Sequence, residues 1–342
     1  MALLFLDGFD HYATADVTKK WTSQSNTTID ASNGRRSGGA LAGNIGASSN
    51  VIKTLSSASA SFVVGAAIKL GAAVTLAIDL FRLFDAGTLQ CGVKINPDLT
   101  LSVHRNNTVL TSGTSVTSLS VGTWAYIEFK VTIADSIGAG SCKVRINGVD
   151  VITVATSQDT KNSSNASANQ VSIGGGSGGG AAGTLIDDFY ICDQSGGSNN
   201  DFLGDCRIDT LFPNADGSNS DFTPSTGSTH YTLVDEATPN TSDYVESSTV
   251  SHKDTWAFQN LSAITGTIYG VQVCSAALKD DAGARSIANT VKSSATNADG
   301  ATQALSTSQV YYMDVWATDP NTAAAWTESA VNSAEFGVKV AA

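Results

Sequence analysis

Apolar and polar residues alternate with a period of two along much of the chain. From Ala125 to Val131, Tyr126, Glu128 and Lys130 fall on one side, and Ile127, Phe129 and Val131 on the other. Lys143, Arg145 and Asn147 alternate with Val144 and Ile146 in the same way. One apolar and one wet face suits an antiparallel sheet better than a parallel one, whose strands are covered on both sides. The pattern predicts strands at Phe62 to Leu70, Val74 to Phe84, Gln90 to Ile95, Leu99 to Arg105, Trp124 to Ile133, Cys142 to Ile146 and Val149 to Val154. Between them lie Asn96-Pro97-Asp98, Asn106-Asn107 and Asn147-Gly148, which fix φ or tolerate positive φ as hairpins require. Two such sheets packed face to face are expected.

Further along, strands are predicted at Gln170 to Ile173 and Leu185 to Cys192, with Gly174 to Gly183 as a flexible connection between them. The polar stretch Asp193 to Asn200 leads to Gly204 to Phe212, expected to be the closing strand of a first domain, ended by Pro213. Beyond it, strands are predicted at Tyr231 to Val234, Trp256 to Asn260, Gly266 to Leu278, Ile287 to Ser293, Val310 to Ala317 and Phe336 to Val340. One short helix fits Glu328 to Ser333, with Thr327 as its cap and Glu328 against the dipole of the first turn. At 342 residues the chain outgrows one ordinary core. The expectation is an all-β protein of two antiparallel β-sandwich domains, residues 1–212 and 213–342.

Composition agrees: 15% charged residues is low, and Ser, Thr, Asn, Gly and Ala fill the gap, which disfavours long helices. A net charge of -12 without a Lys/Arg cluster argues against nucleic-acid binding. The apolar start, Ala2 to Leu6, has no basic leader and runs into Asp7, so a strand is expected there, not a targeting signal. Lys69, Gly71 and Asp79 interrupt the longest apolar stretches, so no bilayer span is expected and the protein reads as soluble and not exported by the usual route.

Five widely spaced cysteines (Cys91, Cys142, Cys192, Cys206, Cys274) form no C-x-x-C pair and are expected to be buried thiols rather than a disulfide framework or zinc site. The Asn-x-Ser/Thr sites at Asn26, Asn106, Asn162, Asn165, Asn240 and Asn260 follow from composition and imply no glycan.

Candidate chemistry is sparse. Gly174, Gly176 and Gly179 match a dinucleotide fingerprint, and Gly175, Ser177 and Gly179 a nucleophile elbow, but both motifs need a following helix and a strand is predicted instead. Jelly-roll glycosidases place acid and nucleophile as Glu-x-Asp-x-x-Glu on one strand; here Glu128 has only Lys130 beside it. On strands, Asp187-Asp188 and Asp235-Glu236 would put neighbouring carboxylates on opposite faces. His11, His104, His230 and His252 lie far apart without acid and nucleophile neighbours. Asn214 to Asp221 has oxygen ligands at alternate positions but lacks the first aspartate and distal glutamate of a calcium loop, and reads as an Asx-rich turn. No catalytic, cofactor or metal residue is assigned, and no cofactor is expected.

Three stretches carry a family resemblance. The series Val121-Gly122-Thr123-Trp124-Ala125-Tyr126-Ile127-Glu128-Phe129, Cys142 to Val149, and Ile186-Asp187-Asp188-Phe189-Tyr190-Ile191 resembles the laminin-G or concanavalin-A-like jelly roll. The opening Leu4-Phe5-Leu6-Asp7-Gly8-Phe9-Asp10-His11-Tyr12 is similar to the start of many such proteins of tailed phages. Phe202 to Asp205, Asp209 to Pro213, Thr229-His230-Tyr231, Val234-Asp235-Glu236 and Asp319-Pro320 through Trp326-Thr327 to Val338 resemble their C-terminal part.

The resemblance implies a non-enzymatic virion structural protein, tail-associated (tail, baseplate or fibre) more than capsid-decorating. It would be a homo-oligomer contacting other virion proteins and assembled in the host cytoplasm. The lectin side of the family implies an alternative, a module for host-surface glycans with Trp21, Tyr126 or Trp256 as stacking platforms.

Overall fold

The computed structural model describes residues 3–46, 48–135, 140–154, 158–176, 179–261 and 264–342; the statements below concern these. The chain divides into two compact units, Met1–Ile208 and Asp209–Ala342.

In the first unit, an eight-stranded antiparallel sheet has the order Val149–Val154, Ser141–Ile146, Trp124–Thr132, Ser61–Lys69, Ala181–Cys192, Ala40–Ile45, Thr27–Asp30, and Leu3–Asp7 also pairs with Ala181–Cys192. A seven-stranded antiparallel sheet has the order Thr108–Ser118, Thr100–Arg105, Thr88–Ile95, Ile78–Asp85, Ala168–Gly174, Asn50–Ser59, Ser23–Ser25. The two sheets meet through aromatic side chains. Phe81 of the seven-stranded sheet lies 6.5 Å from Phe189 of the other, and Trp21 packs on both Phe5 (5.1 Å) and Phe189 (5.3 Å). Ile127, Phe129 and Val131 point into this core as their alternation predicts.

The second unit has a six-stranded antiparallel sheet, Pro213–Ser220, Lys253–Phe258, Glu335–Val340, Ser286–Ser293, Thr296–Asp299, with Gln303–Ala304 on Ser286–Ser293. A ribbon of Val271–Ala277 and Val310–Trp316 accompanies it. Val273 and Tyr312 of the ribbon join the clusters built on Val291, Trp326 and Phe336 and on Trp256, Ile287 and Val338. The helix Glu328–Ser333 has the expected bounds, and Thr327 Oγ1 accepts from Ala330 N at 3.1 Å.

Several expectations are corrected. Gly204 to Phe212 is not a strand: Gly204 N and Ile208 N donate to the Glu128 and Asp188 side chains of the sheet, and Cys206 N to Gly204 O within the segment. Asn214 to Asp221 is not an Asx turn but largely the strand Pro213–Ser220, pairing with Lys253–Phe258 through register shifts. Tyr231 to Val234 gives way to a single 3-10 turn, Tyr231–Leu233, where Asp216 accepts from the backbone N of His230 (3.2 Å) and Tyr231 (2.6 Å). The strand expected from Val74 begins only at Ile78.

The glycine-rich connection is shorter than expected, since Gly174 ends one strand and Ala181 already begins the next. Gly174, Gly175 and Gly176 all have positive φ, and a Cβ on Gly175 or Gly176 would collide with Arg82 or Asp79. Ser177, and with it the elbow motif, lies outside the described residues.

Candidate functional site

The richest concentration of ionisable groups lies on the outer face of the eight-stranded sheet, the face read as wet from the alternation of Tyr126, Glu128 and Lys130. That reading is corrected: Tyr126 and Glu128 are fully buried. The roof is the segment Asp201 to Ile208. Glu128 Oε1 accepts from Tyr190 Oη at 2.6 Å and from Gly204 N at 2.8 Å, and Leu203 N donates to Tyr190 Oη at 3.2 Å. Lys130 pairs with Asp201 at 2.9 Å, and the Arg145 guanidinium stacks on Phe202 at 4.1 Å. Tyr190 can lie flat across the sheet because the residue beneath it is Gly65, where a Cβ would meet the tyrosine ring.

One β-bulge organises the rest. Between Asp187 and Tyr190 the register on Ser61–Lys69 shifts, and Asp188 takes a left-handed conformation with φ 51°. The extra residue cancels the alternation that would have separated the two carboxylates. Arg35 N donates to Asp187 Oδ2 at 2.7 Å, and the Arg35 guanidinium lies 3.5 Å from Asp188 Oδ2. The expectation of opposite faces for Asp187 and Asp188 is therefore corrected: both converge on the Arg35 loop. Arg35 also grips Asp205 of the roof with both guanidinium nitrogens, Nη2 to Oδ2 being 2.7 Å, and stacks over Tyr126 at 5.4 Å. Asp188 accepts from Ile208 N at 2.8 Å, and its carbonyl accepts from Tyr126 Oη at 2.9 Å.

Burial dominates the electrostatics here. It pushes the Asp187 carboxyl up to about 7, helped by the neighbouring Asp188 and Asp10 charges and opposed by amide hydrogen bonds from Arg35 and Asp188. Glu128 and Asp188 are also raised by burial, against the donors just named. The Cys206 thiol is pushed up to about 12, first by burial and then by the Glu128 charge. Carboxyls held in this way are fastenings for the roof in this geometry.

A second concentration lies inside the first unit. Asp7, fully buried, accepts at Oδ1 from Lys20 Nζ (3.0 Å) and Phe9 N (2.9 Å), and at Oδ2 from Tyr12 Oη (2.6 Å) and Trp21 Nε1 (2.8 Å). His11 Nε2 lies 3.3 Å from Lys20 Nζ.

The other sequence candidates are scattered. Trp21 and Trp256 are buried along with Tyr126, so none of the three is a stacking platform; each packs in a core or under the roof. His104 contacts Ser102 Oγ at 2.8 Å, His230 pairs with Asp254 at 2.6 Å and His252 with Ser247 Oγ at 3.0 Å, each in its own environment. In the calcium-like stretch, Asp216 serves the His230 and Tyr231 amides and Asp221 serves Lys253 N, so their oxygens do not converge. Among the described residues no group of three His, Cys, Asp or Glu side chains is placed to hold a metal ion. Cys91, Cys142 and Cys192 are buried thiols, whereas Cys206 and Cys274 are partly exposed.

No known protein family and no curated protein matches the chain. Solved structures similar to it include botulinum neurotoxin type C, whose cell entry depends on two ganglioside molecules (TM-score 0.35, 12% identity, 50% of this chain and 42% of that one). Trypanosoma rangeli sialidase is similar at TM-score 0.34 and 10% identity over 49% of this chain and 27% of that one. A cellulose induced protein, Cip1, is similar at TM-score 0.36 and 15% identity over 51% of this chain and 91% of that one. This chain thus spans less than half of the toxin and about a quarter of the sialidase. By its own topology the chain is an all-β protein of antiparallel sheets, the first unit a β-sandwich of an eight-stranded and a seven-stranded sheet.

Proposed function

We propose that the chain is a structural component of a tailed-phage virion, associated with the tail, acting through protein–protein interfaces and without a catalytic step of its own. The ordered resemblance running from Leu4 to Val338 suggests it. The observation that carries it in the structure is the roofed outer face. Glu128, Tyr190, Asp188 and Arg35, the polar groups that could meet a ligand on an open jelly-roll face, are held by residues 203–208 of the same unit. A surface fastened in this way suits a scaffold presented in many copies, and the chain is expected to be a homo-oligomer assembled in the host cytoplasm.

The test is quantitative mass spectrometry of purified particles separated into heads and tails. A few to a few dozen copies in the tail fraction are expected. Hundreds in the head fraction would make it a capsid-decorating protein instead. Absence from both fractions would overturn the virion reading, and a signal on a glycan array would then favour host-surface carbohydrate binding.

A further inference from the structure

We propose that Lys20 and Asp7 condense into an intramolecular amide, a covalent cross-link between Lys20 Nζ and Asp7 Cγ, with His11 as the proton carrier.

The observation behind it is a buried amine and a buried carboxyl held in direct contact away from water. The Lys20 and Asp7 side chains are 1% and 0% exposed and touch at 3.0 Å. Around them stand Phe5, whose ring centre is 5.4 Å from the lysine nitrogen, Tyr12 at 5.9 Å, and Trp21. A buried ion pair recovers its desolvation cost only with difficulty, and one proton shift along the 3.0 Å contact converts it into a neutral amine facing a neutral acid. Burial favours that neutral acid, while the Lys20 charge and the Tyr12 and Phe9 hydrogen bonds hold the carboxyl below its ordinary range. The reactive pair is therefore the minor tautomer of a major ion pair, and it is always in place.

The remaining groups stand where an acyl transfer needs them. Oδ2 receives hydrogen bonds from Tyr12 Oη at 2.6 Å and Trp21 Nε1 at 2.8 Å, two donors aimed at the oxygen on which negative charge develops when nitrogen adds to Cγ. Oδ1, on the lysine side, is the oxygen that leaves. His11 Nε2 is 3.3 Å from Nζ. Burial, then the Lys20 charge, push the His11 imidazole down to about 3, which leaves it neutral but a weak base; the proton shift from Lys20 to Asp7 removes the second of these causes.

The step balances without an outside reagent. The amine lone pair forms the N–C bond, His11 takes a proton from the nitrogen and returns it to Oδ1, the C–Oδ1 bond breaks, and one water leaves as the C=O at Oδ2 re-forms. Condensation is unfavourable between free groups in water, but fixed neighbours in a dry site gain the large effective concentration of an intramolecular reaction. The product would tie the strand Leu3–Asp7 to the short helix Val17–Lys20.

Mass spectrometry of the full chain, purified folded and then denatured, tests this. The expected result is the loss of one water, about 18 Da, together with the absence of tryptic cleavage after Lys20. A branched peptide should appear that joins the segment ending at Lys19 to the segment from Lys20 to Arg35. The unmodified mass with normal cleavage after Lys20 would overturn the proposal. So would a water loss confined to a linear peptide containing Asp7-Gly8, the sign of an ordinary succinimide. His11→Asn is expected to accumulate uncross-linked chain, with formation slowed at least about 100-fold; complete cross-linking in that variant would remove His11 from the reaction. Lys20→Arg serves as the control that cannot form the bond, and the unsubstituted chain decides the matter whether or not that variant folds.

Discussion

Replacing Asp187 by Asn should change how the stability of the first unit depends on pH. The folded state raises this carboxyl from 3.8 to about 7, so between those values it holds a proton that the unfolded chain has released. Stability from this group is therefore fully present below about pH 4 and falls as pH rises towards 7, after which it is constant. About three pH units at 1.36 kcal/mol each give roughly 4 kcal/mol as the size of the fall. Asn cannot ionise, so its variant lacks this slope. It also loses one of the two acceptor oxygens that serve Arg35 N and Asp188 N, at about 1–3 kcal/mol.

The variant should then be less stable than the parent at pH 5, and equal or more stable at pH 8. Urea unfolding of both proteins, with hydrogen exchange of the Ala181–Cys192 amides as the reporter for this unit, measures the difference. Titrating groups remote from Asp187 cancel in the comparison, and Asp188 and Asp10, which interact with it, are the ones that do not. Parallel pH profiles for the two proteins would refute the reasoning, because they would mean that Asp187 is ionised in the fold throughout.

The second unit should respond in the opposite sense. Despite burial, Asp299 is held down to about 2 by Lys253, Lys339 and Thr290, and Glu335 to about 2 by hydrogen bonds from Ser218, Thr255 and Lys292, so its stability should fall as pH drops from about 4 through 2. Exchange of the Lys253–Phe258 and Glu335–Val340 amides over that range is the check. Gly65→Ala should cost about 1–3 kcal/mol by overpacking, because the new methyl group would displace the Tyr190 ring and with it the Glu128 and Leu203 contacts; urea midpoints measure it.

The fold class was legible because the strands that bury one face announce themselves locally. Val149–Val154 matches its predicted bounds, and Trp124–Thr132 ends one residue from them. The strands left unread, among them Asn50–Ser59 and Thr108–Ser118, are rich in Ser and Thr and alternate too weakly to separate from loops. The site was not legible for a different reason. Tyr126 and Glu128 look solvent-facing within their own strand, and the segment that roofs them arrives some seventy-five residues later, Gly204 on Glu128. A bulge likewise leaves no periodic trace, although two carboxylates set in the apolar run Leu185 to Cys192 are a signal that the strand there departs from simple alternation.

The glycines Gly174 to Gly176 bear on how the protein could be altered. A run of small residues invites use as a place to splice in a tag or an epitope, yet here two successive positions are pressed against Arg82 and Asp79 and admit no side chain. A more open position is Gly197, whose φ is not left-handed and where a side chain would have nothing within 4 Å. Cargo displayed from this protein belongs on the loop around Gly197. Random mutagenesis should show the glycine run to be among its least forgiving segments.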